Sequence, residues 1–232
     1  MKYSGGFYIV EEIEPLDWMD RTVLPNKLFK PTQCFCRLFP DETCLSWTSV
    51  DDADRVDVQQ WLGVNEDDFK RLIEEVDKQF NDEVIGWIGN IINESVAIDY
   101  VNKYLSTRRN IRLIELSTDE VSAKEFLEEF EPNEGNGYVG VHLALKKGQH
   151  PSSKGISLGF DLLGYDTCGF HSFVCNSLEK EFAKQSLLLN EFALFSSKSD
   201  AEKALEFINN NENVAEPALW QIWEVSEIPV SG

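Results

Sequence analysis

The alternation of apolar and polar positions along the chain predicts several strands. Aromatic and β-branched residues over 7–13 predict an early strand, and clear alternation over 219–225 predicts a late one. The same signal over 111–116, 138–145 and 156–165 predicts three more. The second half places helices after strands, and hairpins are expected elsewhere. We therefore expect an α+β fold with a mixed, mainly antiparallel sheet and helices packed on it.

Helical spacing is clearest after Asn65, a residue type that favours the N-cap and is followed here by three acids. The apolar positions then recur every three or four residues and predict one buried stripe, formed by Phe69, Leu72, Ile73, Val76 and Phe80. Further helices are predicted over 92–105, over 118–130 and from Ser199 onward.

One stretch, residues 156–182, combines backbone constraint with reactive side chains. It contains three glycines, two of the five cysteines and one of the three histidines. The pattern predicts a strand, a turn beginning at Asp166, and a helix from Phe170. Glycines at such a joint allow close backbone approach, a bulge or a turn with positive φ. This joint is therefore a candidate functional region.

The length of 232 residues suits one α+β domain spanning 1–232 with a substantial core. A division into two subdomains would fall near residue 107, after the predicted helix over 92–105. A hairpin is predicted over 34–48, with one cysteine at each of two positions that face each other across the strands.

The net charge of −20 limits the classes of partner. Residues 61–135 carry half of the excess, with eighteen acids and eight bases. Such a chain repels phosphate backbones and anionic membranes and attracts cations, so we expect no nucleic-acid or membrane partner. Solubility alone is one interpretation of the charge, and a basic protein partner is the other.

No apolar run approaches the roughly 20 residues that span a bilayer, and no signal-peptide pattern is present, so we expect a cytoplasmic protein.

The cysteines and glycines do not indicate a cofactor or metal. An odd number of cysteines favours reduced thiols, and the cluster Cys34, Cys36 and Cys44 lacks a nearby fourth ligand for zinc. A G-x-G-x-x-G motif over 135–140 follows an acidic loop and enters a predicted strand, whereas a dinucleotide site needs it to follow a strand and open a helix. We expect no cofactor.

Two alternatives to a binding protein centre on the glycine-rich turn. Cys168 near a helix N-terminus, with His171 three residues later, is a hypothetical nucleophile and base of an enzyme. A regulatory domain with a small-molecule pocket beside the same turn is the second alternative.

Residues 159–166, which read GFDLLGYD, and 170–179, which read FHSFVCNSLE, resemble a segment of bacterial proteins, some of which look like immunity proteins of toxin–immunity pairs. The likeness covers less than a tenth of the chain. The resemblance implies a cytosolic protein that binds and neutralises a cognate toxin, often a basic nuclease. It establishes no catalytic residue, and we expect that the protein is not an enzyme.

Together, the charge and the resemblance favour a protein that binds a basic partner. Two sets of side chains are the candidates for contacting that partner: the acidic face of the helix after Asn65 and the polar groups of the joint. They are Glu66, Asp67, Glu74 and Asp77 on the helix, and Asp166, His171 and Asn176 in the joint.

Overall fold

The computed structural model describes residues 1–28 except 13 and 16, residue 59, residues 63–130 except 83, 86–89 and 107–109, and residues 139–166 and 170–230. The predicted hairpin over 34–48, the position of the subdomain boundary, and Cys168 lie outside these ranges.

Within the described residues, five strands form one sheet in which every neighbouring pair is antiparallel. In chain order they are β1 (Lys2–Glu11), β2 (Ile111–Asp119), β3 (Ile156–Tyr165), β4 (Phe170–Ser172) and β5 (Leu219–Glu227). The order across the sheet is β1-β2-β5-β3-β4, so β1 and β4 lie at opposite sides. This confirms the predicted α+β class and the antiparallel sheet.

The described helices are α1 (Glu66–Asn81), α2 (Glu94–Tyr100), α3 (Glu120–Glu129), α4 (Val139–Lys147), α5 (Glu179–Lys184) and α6 (Lys198–Asn210). A π-helical turn, Val101–Leu105, follows α2 directly. Asn65 caps α1 as predicted, because its side-chain oxygen accepts a hydrogen bond from the Asp68 amide at 2.9 Å. None of the described helices is long and apolar enough to cross a membrane.

Helices cover both faces of the sheet. On one face, α3 and α4 pack against residues such as Tyr8 of β1 and Trp223 of β5. On the other face, α1 and α2 cover β1 and β2 near Phe7, while α5 and α6 cover β3 and β5 near Leu162. Adjacent residues such as Phe7 and Tyr8 belong to different clusters because side chains along a strand alternate between faces. The core is therefore split by the sheet into two layers.

The prediction of a strand over 138–145 is wrong for its described part, because residues 139–145 form the first turns of α4. Val141, Ala144 and Leu145 are buried and lie on one side of a helix that packs on β1. Apolar residues at alternate positions also recur at positions three and four apart here, so the pattern fits both periods. Packing of this apolar side on β1 favours the helix over a strand.

Gly140 lies at the start of α4, so the expectation that the glycine motif enters a strand is also wrong. A side chain at Gly140 would place its Cβ atom 2.7 Å from the Cβ atom of buried Asn90. The Asn90 amide nitrogen in turn donates to the Gly5 carbonyl at 2.7 Å. The close contact with Asn90 thus accounts for this glycine without a phosphate ligand.

The helix predicted from Phe170 is wrong as well. Phe170 begins β4, which pairs with β3, and α5 begins only at Glu179. The Phe170 ring is buried with its centroid 5.0 Å from that of Tyr165 and 5.4 Å from that of Trp223. Edge-on aromatic packing on the sheet stabilises the extended backbone here, which local helical spacing could not reveal.

Candidate functional site

The polar residues predicted in the joint come together at one end of the sheet around His171. The ring nitrogen Nε2 of His171 lies 2.9 Å from Oδ2 of Asp166, and Nδ1 lies 2.6 Å from Oε2 of Glu216. Asp166 directly follows β3, His171 lies in β4, and Glu216 precedes β5. The His171 side chain is only 18% exposed. Three separate segments therefore meet at this imidazole.

Asn176 joins the same group through its side-chain amide. Its oxygen accepts a hydrogen bond from the backbone amide of Glu216 at 2.8 Å, and its nitrogen donates to the carbonyl of Ser172 at 3.2 Å. We call Asp166, His171, Asn176 and Glu216 the histidine clasp. The sequence indicated the first three, but it carried no signal for Glu216, an acid forty residues from Asn176 in an irregular segment.

The histidine clasp is arranged to hold the chain together. Ionised carboxylates only accept hydrogen bonds, so two of them on opposite ring nitrogens fit an imidazole that donates from both. A general base for a thiol needs one ring nitrogen as an acceptor. Here both nitrogens of His171 are already within hydrogen-bond distance of acids. The enzyme hypothesis stays a prediction, because Cys168 lies outside the described residues.

Two glycines of the joint have the geometric roles that the sequence predicted. Gly159 has φ +142° and lies at a register shift between β3 and β5, as expected for a bulge. A Cβ atom there would lie 2.7 Å from the Phe195 carbonyl oxygen. At Gly164, a Cβ atom would lie 2.8 Å from the ring of Trp220. The backbone of β3 thus fits closely against its neighbours, which fixes the position of the clasp.

The acidic face of α1 carries both signs of charge. Glu66 forms an ion pair with Lys70 at 2.9 Å, and this contact lowers the pKa of Glu66. Asp67 and Glu74 are exposed and form no ion pair with a described lysine or arginine. The side chain of Asp77 lies outside the described part of the structure. Of the three predicted acids of α1 whose side chains are described, Asp67 and Glu74 are therefore the ones without a described cationic partner.

The two predicted sets of residues do not form one surface. α1 packs through Phe69 and Leu72 on the cluster that contains Phe7 of β1. His171 lies in β4, at the opposite side of the sheet. With neighbouring strands roughly 4.8 Å apart, β1 and β4 are separated by about 19 Å. One small ligand cannot contact both sets.

Comparison with protein-family models, with curated protein sequences and with solved structures gives no match. Within the described ranges, no group of three or more His, Cys, Asp or Glu side chains is placed to hold a metal ion. Three cavities of about 190, 350 and 430 Å³ are lined by described residues, and the lining of these three includes no residue of the histidine clasp.

Proposed function

We propose that this chain is a cytoplasmic binding protein that neutralises a basic protein partner, and that it acts as an immunity protein against a cognate bacterial toxin. The observation that supports this proposal is the pattern of ion pairs among the charged side chains. Every lysine and arginine in the described ranges forms an ion pair with a described acid, apart from Lys78, Lys146 and Lys147.

The acids are in excess and many have no such partner. Exposed carboxylates that form no ion pair with a described lysine or arginine include those of Asp67, Glu74, Glu120, Glu125 and Glu129. Because the cations are neutralised locally, the field outside the protein is dominated by these acids. Such a field accelerates encounter with a cationic protein and disfavours nucleic acids and anionic membranes. The resemblance of the joint to immunity proteins supports the same proposal.

The test uses the protein encoded by the gene adjacent to the gene for this chain. We expect that purified neighbour to bind this chain with an association rate that falls steeply as NaCl is raised, because salt screens the attraction. We also expect deletion of the gene to sensitise cells to the neighbour. The proposal is overturned if the neighbour is basic and toxic yet does not bind, or if deletion sensitises no cell.

The two alternative functions, an enzyme and a regulatory small-molecule-binding domain, are tested separately. An enzyme that uses Cys168 and His171 requires a reactive thiolate, so thiol titration should give Cys168 a pKa below that of an ordinary cysteine. A regulatory small-molecule domain should show a ligand-dependent rise in melting temperature.

A further inference from the structure

The sheet opens at one end where β2 and β5 separate. These strands pair from Ile114 opposite Glu227 to Ser117 opposite Glu224. β2 then turns into α3, while the first half of β5, residues 219–223, pairs with β3 alone among the described strands. A hydrogen bond at 3.0 Å from the hydroxyl of Thr118 to the carbonyl of Ile222 crosses the opening. A cavity of about 430 Å³ lies here, which we call the β2–β5 groove.

The β2–β5 groove has an exposed apolar lining. Met1 and Val121 line it and are 75% and 77% exposed, the highest values among the large hydrophobic side chains of the described part. Leu205 of α6 and Ile222 of β5 continue the apolar surface. Neighbouring apolar side chains that face water within a concave site are typical of surfaces that bind a partner.

Acids surround this apolar lining. The groove is lined by the cationic side chain of Lys198 and by four acids, Asp119, Glu120, Glu125 and Glu202. Lys198 is already engaged, with its ammonium nitrogen 3.0 Å from Asp119 and 3.6 Å from Glu202. The groove therefore carries a net negative charge, and Glu120 and Glu125 form no ion pair with a described cation. A cationic side chain is the complementary group.

A buried polar atom gives independent evidence for a ligand. Gln221 lines the groove and is 3% exposed. Its amide nitrogen donates to the Ser122 carbonyl at 2.9 Å and to Glu125 at 3.0 Å, which fixes the orientation of the amide. The amide oxygen is buried and has no hydrogen-bond partner among the described residues. A buried acceptor without a donor costs free energy, and a donor from a ligand would remove that cost.

We propose that the β2–β5 groove binds an extended segment of the basic partner protein in which an arginine is flanked by apolar side chains. A guanidinium carries five N–H donors, enough for the groove's carboxylates and for the oxygen of Gln221. The apolar flanks of such a segment cover the exposed side chains of Met1 and Val121. This inference rests on the proposed function and assigns it a surface.

The experiment uses the full chain and a fluorescent heptapeptide that alternates valine with arginine, with binding followed by anisotropy at low salt. The groove variant Glu120→Gln/Glu202→Gln is compared with a matched pair of exposed acids elsewhere, Glu191→Gln/Glu212→Gln. We expect the groove pair to weaken binding roughly tenfold and the control pair to change it less than about twofold. Val121→Ser, at a side chain that is 77% exposed, should also weaken binding while the fold is retained.

A second readout locates the peptide. Trp220 lines the groove and donates from its indole nitrogen to the Glu216 carbonyl at 3.0 Å. Saturation with the arginine peptide should shift the indole N–H resonance of Trp220, and a peptide with glutamate in place of arginine should not. Equal weakening by the groove and control pairs, or a Trp220 signal that does not move, overturns the assignment. If the neighbouring gene's protein binds and the groove variants bind it equally well, only the surface is wrong; if that protein does not bind at all, the proposed function is wrong.

Discussion

The histidine clasp and the β2–β5 groove are both rich in polar groups, but they differ in how those groups are used. In the clasp, both ring nitrogens of His171 lie beside carboxylates and the Asn176 amide both donates and accepts. In the groove, Glu120 and Glu125 lack cationic partners within the described residues and the oxygen of Gln221 lacks a donor there. Residue type alone therefore does not distinguish a structural cluster from a binding surface.

The difference has a physical basis. A polar group that forms a hydrogen bond or an ion pair within the protein is less available to bind a partner. A site whose polar groups are paired within the protein stabilises the fold. A site with unpaired charges and exposed apolar area is stabilised only when a partner binds. Substitutions in the joint should therefore change stability, and substitutions of unpaired surface acids should change binding.

The largest effect is expected at Gly159. Gly159→Ala should lower the free energy of unfolding by roughly 3 kcal/mol, because alanine disfavours the positive φ and its Cβ atom would press on the Phe195 carbonyl. Urea denaturation measures this loss. Gly148→Ala is the matched control, because Gly148 also has positive φ but has open space around it. It should cost only about 1 kcal/mol; equal losses would show that the contact with Phe195 contributes nothing.

A smaller loss is expected at the clasp itself. His171→Ala removes the ring between Asp166 and Glu216, so each carboxylate loses its contact with a ring nitrogen and the free energy of unfolding should fall by about 2 kcal/mol. Urea denaturation again measures it, with exposed His150→Ala as the control that should have little effect. Partner binding by folded His171→Ala should be retained. Loss of binding with unchanged stability would instead make the clasp a contact surface.

An internal acid provides a pH test. Glu115 is 1% exposed, accepts from the Ser4 hydroxyl at 2.6 Å and the Ser152 amide at 2.9 Å, and has a pKa raised by burial above its ordinary value of 4.5. The native state therefore holds the Glu115 proton more tightly than the unfolded chain does. Its contribution to stability must fall as pH rises from about 4.5 through the raised pKa.

Glu115→Gln should remove this slope, so that the variant gains stability relative to the parent protein as pH rises from 4 to 7. Urea denaturation at several pH values measures the difference. Glu191→Gln, at an exposed acid, serves as the control and should leave the slope unchanged. A parallel pair of curves for Glu115→Gln and the parent protein would contradict the prediction.

The smallest effect on stability is expected on α1. Asp67→Asn/Glu74→Gln should leave the free energy of unfolding within measurement error, because both side chains are exposed. If α1 faces the partner, the association rate at low salt should fall several-fold and the difference should vanish at high salt. Stopped-flow association with the neighbouring gene's protein measures this. A rate equal to that of the parent protein at every salt concentration would remove α1 from the interface.

Local patterns in the sequence were sufficient where one element carries its own signal. The cap at Asn65, the full extent of β3 and the alternation in β5 were all predictable, because capping and strand periodicity depend on neighbouring residues. The α+β class followed from them. Of the clasp, Asp166, His171 and Asn176 could be predicted, because they lie close together in one constrained stretch.

The tertiary structure decided the features that depend on distant residues. Packing of Phe170 against Trp223 made a strand of a segment with helical spacing, and packing on β1 made a helix of residues 139–147. Glu216 reaches His171 only because β5 lies beside β3. The groove exists because β2 and β5 separate. The sequence by itself determined which positions prefer burial and where elements begin. Long-range packing, which local periodicity does not encode, determines which distant surfaces meet and which polar groups remain without a partner.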